Sequence, residues 1–234
     1  MSTLPRPLAL LMLWLAVAAA VAAADGSGEA RSNRSSSAVQ RSAPPTLPAP
    51  EAPTVVRVDP ERGLGSPNAP LALVEFADFA CPYCRRFHEE MLPRLKAAFI
   101  DSGRLRYFYK DFPLAQHAHA FGAAVAARCA ALQGRYWDMV DALYAQQARL
   151  GRDFYRAAAA RLALDAGAFD RCLGARPVQQ AVQHDVAEGR RLGVRATPTF
   201  VLGRLEGDRV RVERTAAGIP TFETFAEEID LLGP

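Results

Sequence analysis

The chain has 234 residues, half of them hydrophobic, and 28 basic against 25 acidic side chains give it a net charge of +3. This even balance, with no basic run, argues against a protein that binds nucleic acid or a membrane surface. Only four cysteines are present, so their spacing carries much of the functional information.

The first 24 residues have the layout of a secretory signal peptide. Arg6 precedes an apolar run that begins at Leu8, and small residues end the run before Asp25, as in a cleaved export signal. The run from Leu8 to Ala24 also has 17 residues, close to the minimum for a membrane span, so an uncleaved anchor is the alternative. Both interpretations predict an exported protein.

Residues 25–53 predict a disordered linker. They contain six serines and five prolines but no aromatic side chain, so they bury too little apolar surface to offset the entropy cost of ordering. The remaining residues, 54–234, have the size of one domain with a full hydrophobic core.

The domain is predicted to begin with a strand, a helix and a strand. Residues 71–77 follow a turn signal and are rich in strand-forming apolar residues, which predicts a buried central strand. From Pro82 the apolar residues recur at helical spacing, and Pro93 should kink or shorten that helix. Residues 104–112 alternate aromatic and charged residues, as in a second strand. Together these elements predict a βαβ unit.

An alanine-rich stretch from about 115 to 192 keeps helical periodicity throughout. Asp165 and Gly174 are expected to cap and end a short helix, and Pro177 and Gly193 to bracket a longer one. The chain then returns to predicted strands at 197–203 and 208–215 and ends in an amphipathic helix at about 221–232. These elements predict an α/β fold with an inserted block of helices.

Two of the cysteines lie three residues apart, in the motif Cys81-Pro82-Tyr83-Cys84. Pro82 favours the first helical position, which places Cys81 beside the free N–H groups of the helix start. We predict that Cys81 is an exposed thiolate that attacks first, and that Cys84 is buried and resolves the mixed disulfide.

The helix end alone does not account for such a thiolate. Lowering a thiol pKa from about 8.5 to about 5 requires roughly 4.8 kcal/mol, whereas a helix end supplies about 0.3 to 2 kcal/mol. N–H groups in direct contact with the sulfur of Cys81 should supply the rest. Pro82 and Tyr83 would then tune the site through its geometry and polarity.

Two structural interpretations compete, a simple stapling disulfide or half of a zinc site. Zinc needs a second compact pair of ligands, and Cys129 and Cys172 are 43 residues apart. His117 and His119 are candidate ligands, but a solvated turn before a helix explains them more simply. We therefore expect no metal, and no cofactor other than the redox-active cysteine pair.

Four segments in this order, EFADFACPYC, YKDFPLAQHAHA, CAALQGRYWDMVDALY and GVRATPTF, resemble the DsbA-like branch of the thioredoxin superfamily. The resemblance covers about residues 54–232. It implies a thioredoxin fold with an inserted α-helical domain at about 115–192. It also implies a periplasmic thiol:disulfide oxidoreductase that introduces disulfides into exported proteins.

Glu75 lies six residues before Cys81, where this family commonly keeps a buried acid near the second cysteine. Independently, Glu75 shares a strand face with Leu71 and Leu73, so burial should raise its pKa. It would then carry protons for Cys84. The alternative is an edge strand with Glu75 in solvent.

Other site residues are implied by the resemblance alone. Pro198 should be the cis-proline that packs against the active-site disulfide, and the backbone of Thr197 should pair with an extended substrate. His117 matches a histidine that relatives carry after FPL, which makes it a candidate near-site residue. Cys129 and Cys172 match a second, structural disulfide of some relatives. Two buried free thiols are the alternative.

The resemblance also bears on whether the protein oxidises or reduces its substrates, and on its partners. Tyr83 stands where the strongest oxidants carry histidine, which predicts a milder oxidant, and Thr197 is also common in isomerases and reductases. The implied partners are unfolded or reduced exported proteins and a membrane thiol oxidoreductase that resets the site. Residues 25–53 are too short for a dimerisation domain, so a monomer is expected. The alternatives are an isomerase or reductase of the same fold, a glutaredoxin and a non-catalytic peptide-binding chaperone module.

Overall fold

The computed structural model describes residues 47–49 and 54–233. The predicted signal peptide, residues 1–24, and residues 25–46 and 50–53 of the predicted linker lie outside this part of the chain. None of the helices in the described part has the length and hydropathy needed to cross a membrane.

The described strands form one mixed sheet in the order β1-β6-β5-β3-β4-β2. The strands are β1 (Val55–Arg57), β2 (Gly63–Leu64), β3 (Leu71–Ala77), β4 (Leu105–Asp111), β5 (Thr199–Glu206) and β6 (Arg209–Ala217). The helices are α1 (Pro82–Arg86), α2 (Leu92–Leu95), α3 (Ala120–Ala131), α4 (Tyr136–Ala145), α5 (Arg152–Arg161), α6 (Ala166–Leu173), α7 (Arg176–Arg191) and α8 (Phe222–Leu232).

Strand β3 is the central strand that the sequence predicts. It lies between β4, which is parallel to it, and β5, which is antiparallel. All seven of its residues are buried, because its alternate side chains pack into core clusters on opposite faces of the sheet. A strand covered on both faces needs a continuous apolar run rather than an alternating one. The parallel pairing of β3 with β4 across the intervening helix confirms the predicted βαβ unit.

Pro93 was expected to kink or shorten the helix. Helical turns continue from 82 to 100, so the helix is not shortened. The π-helical turns Phe87–Met91 and Lys96–Ile100 flank α2, in which Pro93 lies. Proline lacks an N–H and its ring clashes with the carbonyl four residues earlier. The wider π-helical turn before Pro93 gives the ring room, and the helical path is kept.

Helices α3 to α7 lie between β4 and β5, within the range predicted for the helical block. Asp165 caps α6 by accepting a hydrogen bond from the Ala168 N–H at 2.7 Å, and Gly174 follows the end of that helix. The apolar faces of the block share one core with both cysteines of the motif. The helical block therefore packs directly against the candidate site.

Cys129 of α3 and Cys172 of α6 form a disulfide, as the resemblance implies. The bridge ties two helices of the inserted block to each other. The two cysteines are 43 residues apart in the sequence. Closing a loop of that length contributes roughly 4 kcal/mol to stability in the chain-entropy model.

Strands β1 and β2 were not predicted, because runs of three and two residues are too short to show a periodic pattern. A described piece of the predicted linker also packs on the domain. The Leu47 N–H donates to Glu228 Oε1 at 2.8 Å, and the Pro48 carbonyl accepts from the Thr215 N–H at 2.9 Å. At residues 47–49 the prediction of a disordered linker is therefore wrong, because these backbone groups find partners on β6 and α8.

Candidate active site

Cys81 lies at the end of the loop that joins β3 to α1. It is the N-cap residue of α1, with Pro82 in the first turn. The Cys81 carbonyl accepts the first helical hydrogen bond, from the Arg85 N–H at 3.1 Å, and the Cys81 N–H donates to the Asp78 carbonyl at 3.0 Å. The predicted position of Cys81 at the helix start is confirmed.

The predicted exposure of Cys81 is wrong, because only 4% of the residue is accessible to solvent. The loop before β5 covers the sulfur. The Thr197–Pro198 peptide bond of that loop is cis, as the resemblance implies, and the Thr197 carbonyl oxygen lies 3.3 Å from Cys81 Sγ. Tyr83, by contrast, is 62% exposed, so it forms the outer surface of the motif together with Pro82.

The two thiols are free and chemically unequal. Hydrogen bonding from the Cys84 side chain, against the opposing effect of burial, lowers the pKa of Cys81 to about 5, with further help from Thr197 and from backbone groups at Cys84 and Tyr83. Burial raises the pKa of Cys84 well above its ordinary value. The predicted inequality is present, but the main donor to Cys81 is the partner thiol rather than the backbone N–H groups that were expected.

Glu75 occupies the middle of β3 and is 1% exposed. It pairs in register with Tyr109 on one side and Phe200 on the other, which excludes the edge-strand alternative. Burial raises the pKa of Glu75 to about 8. A carboxyl group with such a pKa readily gains and loses a proton near neutral pH.

Tyr107 on β4 was not predicted to belong to the site. Its hydroxyl donates to Glu75 Oε2, while Glu75 Oε1 is buried without a hydrogen-bond partner among the described residues. The interaction of Glu75 with the Cys84 side chain works against the rise of the pKa of Glu75. Glu75 is thus placed to exchange a proton with Cys84.

His117 reaches the site through Asp78 rather than by contact with a cysteine. Its Nδ1 lies 2.7 Å from Asp78 Oδ2, which also accepts from the Leu114 N–H at 2.8 Å. The other carboxyl oxygen of Asp78 accepts from the Ala80 N–H at 2.7 Å. Asp78 is fully buried and joins the loop before Cys81 to the loop that carries His117.

Gln147, from the turn after α4, was also not predicted. Its side-chain amide donates to the carbonyls of Phe79 and Cys81 at 2.7 and 2.9 Å. Gln147 and Tyr107 form no motif with the cysteines in sequence, because their contacts with the site span 68 and 32 residues. Asp78 lies only three residues before Cys81, but its contacts with Leu114 and His117 span 36 and 39 residues. The predicted βαβ unit was the one sequence feature that could have indicated Tyr107, because it places the strand containing Tyr107 beside the strand containing Glu75.

A family model described as thioredoxin matches residues 58–219. The chain belongs to the thioredoxin family. Its fold is shared with the crystal structure of α-DsbA1 from Wolbachia pipientis, with a TM-score of 0.64 and 25% identity over 73% of this chain and 89% of that one. The fold predicted from the sequence and the DsbA-like resemblance are both confirmed.

Two further structures of this thioredoxin type match. A thioredoxin-like oxidoreductase from Silicibacter pomeroyi has a TM-score of 0.61 and 26% identity, covering 74% of this chain and 93% of that one. BdbD from Bacillus subtilis has a TM-score of 0.61 and 19% identity, covering 76% and 97%. At that lower identity the likeness to BdbD concerns the fold alone.

Curated relatives of this thioredoxin-family chain are named Na⁺/H⁺ antiporters. One from Mycolicibacterium gilvum is 40% identical over 154 residues, which are 63% of this chain and 24% of that protein. One from Salinispora tropica is 36% identical over 169 residues, or 70% of this chain and 25% of that protein. The chain therefore spans about a quarter of the length of these relatives.

Proposed function

We propose that this protein is a thiol:disulfide oxidoreductase that introduces disulfides into exported proteins through Cys81 and Cys84. The observation that carries the proposal is the inequality of the two sulfurs. Cys81, at the N-cap of α1, has its pKa lowered to about 5 mainly by hydrogen bonding from Cys84, whose own pKa is raised by burial. A structural disulfide needs no such difference, whereas an exchange reaction does.

The reaction begins with the oxidised enzyme, in which Cys81 and Cys84 are bonded. A substrate thiolate attacks Cys81 Sγ, forms a mixed disulfide and breaks the Cys81–Cys84 bond, and Cys84 leaves as a thiolate that takes up a proton. A second substrate thiolate then attacks the substrate sulfur of the mixed disulfide and releases Cys81 as a thiolate. The substrate has lost two electrons, and the enzyme is now the dithiol.

Glu75 is the group that would supply the proton to Cys84. It is buried beside Cys84, and its pKa of about 8 lets it hold a proton at neutral pH. Water does not reach a fully buried thiolate easily, so an internal acid shortens the path of the proton. Tyr107 fixes one oxygen of the carboxyl group and leaves the other free.

The low pKa of Cys81 also favours oxidation of the substrate. At pH 7 a thiol whose pKa is shifted from an ordinary value of 9.0 to about 5 stabilises the reduced enzyme by about two pKa units, roughly 2.7 kcal/mol or about 60 mV. The disulfide form gains nothing from this effect, so the couple becomes more oxidising. Because Tyr83 replaces the histidine of the strongest oxidants, we expect a moderate oxidant with a potential above about −250 mV.

The partners in this proposal are reduced or unfolded polypeptides outside the cytoplasm and a membrane thiol oxidoreductase that resets the disulfide. A groove of about 720 Å³ next to the cis-proline loop supports the first of these, since it is lined largely by apolar side chains. Its lining includes Val194, Ala196, Ile219 and Pro220. An extended peptide that pairs with Thr197 would continue into this groove. We propose that the protein acts in the periplasm as a monomer.

Trapping of mixed disulfides tests the proposal. Cys84→Ala removes the resolving thiol, so partner proteins should accumulate in covalent complexes with Cys81 that reductant releases. Cys81→Ala is the matched control and should trap nothing. If Cys84→Ala also traps nothing, the pair is not a catalyst, and a non-catalytic peptide-binding module is the better account.

The redox state of the wild-type protein in cells, read by alkylation of free thiols, tests the direction of the reaction. A pair that is mostly oxidised supports the oxidase. A mostly reduced pair, together with a potential below about −250 mV, would instead indicate a reductase or isomerase, for which Thr197 before the cis-proline is the favouring observation.

A further inference from the structure

Gln147 is a polar side chain of the helical block that turns inward toward the site. It begins the short 3₁₀ turn Gln147–Arg149 after α4, and it is half-buried while Gln146 and Ala148 on either side are exposed. Its Nε2 atom donates to the carbonyl oxygens of Phe79 and Cys81 at 2.7 and 2.9 Å. Both partners are acceptors, so both amide hydrogens are used.

The same part of the helical block also holds the side chain of Phe79. The Phe79 ring stacks on Tyr109 of β4 with ring centroids 4.8 Å apart, and it packs against Tyr144 of α4 at 5.2 Å. Helix α4 and the turn after it therefore contact the loop before α1 through both its ring and its main chain. The Asp78 side chain also holds this loop, because it accepts hydrogen bonds from the Ala80 and Leu114 N–H groups.

The Cys81 carbonyl has two donors, Gln147 and the Arg85 N–H of the first helical turn. The orientation of the Cys81–Pro82 peptide plane is therefore fixed from outside the helix as well as from within it. That plane constrains the backbone conformation of Cys81, and the backbone conformation in turn restricts the χ1 rotamer that places Sγ relative to the groups that hydrogen-bond to it. Hydrogen bonds weaken steeply as their angles depart from linearity, so a small rotation changes how well an anionic sulfur is held.

We propose that Gln147 is a positioning residue, supplied by the inserted helical block, that holds the Cys81 carbonyl and thereby sets the geometry of the reactive sulfur. The role rests on the proposed function and deepens it, because it makes the helical block part of the redox site. Gln147 acts through the backbone of Cys81 and does not touch the reacting atoms.

Three substitutions at position 147 separate the role from mere packing. Gln147→Glu presents a carboxylate, which cannot donate to two carbonyls and adds negative charge, so the pKa of Cys81 should rise by about one unit. Gln147→Ala removes the donors without adding charge and should give a smaller rise. Gln147→Lys retains N–H donors and adds positive charge, so the pKa should stay at the wild-type value or fall.

The matched controls are Gln146→Glu, Gln146→Ala and Gln146→Lys, which make the same changes at the exposed neighbouring position. The pKa of Cys81 is read from the pH dependence of thiolate absorbance in the reduced protein, and the thiol–disulfide equilibrium with glutathione is measured in parallel. For Gln147→Glu that equilibrium should shift about tenfold toward the oxidised protein. At pH 7 each unit by which the pKa of Cys81 rises makes the stabilisation of the reduced form about tenfold smaller.

The proposal is overturned if folded variants at 147 move the pKa of Cys81 no more than their counterparts at 146, or if Gln147→Lys raises it as much as Gln147→Ala. Because Gln147→Lys retains the donors, it keeps the test valid should Gln147→Ala fail to fold. The titration does not require turnover. Failure of the proposed function would appear as a Cys84→Ala variant that traps no partner protein, and the two outcomes are therefore distinguishable.

Discussion

The largest single contribution to the acidity of Cys81 comes from Cys84, the other cysteine of the motif, which donates to its sulfur. The helix start and Thr197 contribute less, and burial opposes all of them. This arrangement makes the two cysteines a coupled unit in which the proton rests on Cys84 and the negative charge on Cys81. Glu75 completes the unit, because it is the acid buried beside Cys84.

Glu75 should destabilise the folded protein at neutral pH. Its pKa is raised from 4.5 to about 8 by burial, so the unfolded state releases the proton more readily and stability falls as pH rises from about 4.5 to about 8. Glu75→Gln should therefore raise the free energy of unfolding by about 2 to 3 kcal/mol at about pH 7 and have little effect at about pH 4. Urea unfolding of the reduced protein at both pH values measures this.

Glu89→Gln, at an exposed position, is the control for the change of side chain. It should alter stability little at either pH. Equal effects of Glu75→Gln at the two pH values would show that Glu75 is not buried as a neutral acid. Despite its greater stability, Glu75→Gln should also exchange disulfides with substrate more slowly, at the step in which Cys84 leaves and takes up a proton.

At the scale of elements, buried ion pairs join the helical block to the sheet. Lys110 Nζ, on β4, lies 2.6 Å from Asp185 and 2.5 Å from Glu188, both on α7. Gly189 of α7 lets the helix approach the sheet, because a Cβ atom there would lie 2.7 to 2.9 Å from the rings of Phe112 and Phe76. The block is thus anchored to β4 through α7, and it contacts the active-site loop through α4 and the turn after α4.

The Cys129–Cys172 bridge acts within the helical block. Replacing both cysteines with alanine should lower the free energy of unfolding by about 4 kcal/mol, because the unfolded chain regains the entropy of an open loop. Denaturant unfolding measures the loss, and the pKa of Cys81 should not change. Breaking the bridge of the wild-type protein with a reductant should reproduce most of this loss. The same reductant should not lower the stability of the double variant through this bridge, because the variant does not contain it. An unchanged midpoint in the double variant would contradict a structural role.

Across the whole molecule, the sequence predicted the features that depend on local pattern. Strands β3 and β4, the caps of α6, and the helix start at Cys81 follow from periodicity, turn residues and the preferences of proline. The prediction that Cys81 is exposed was wrong, because the loop that covers it, at Thr197, lies 116 residues away in the sequence. Tyr107 and Gln147 were missed for the same reason, since tertiary packing brings them to the site. Asp78 is close to Cys81 in sequence, but its link to His117 is formed only by the fold.

The acidity of Cys81 in the reduced wild-type protein is the most direct test of this account. The rate at which Cys81 reacts with an alkylating reagent follows its thiolate fraction, so its pH dependence gives the pKa. We predict an inflection at about 5, and a clear rise in Cys84→Ala, which lacks the main donor. An inflection near the ordinary thiol value of about 8.5 in the wild-type protein would contradict the proposed catalyst.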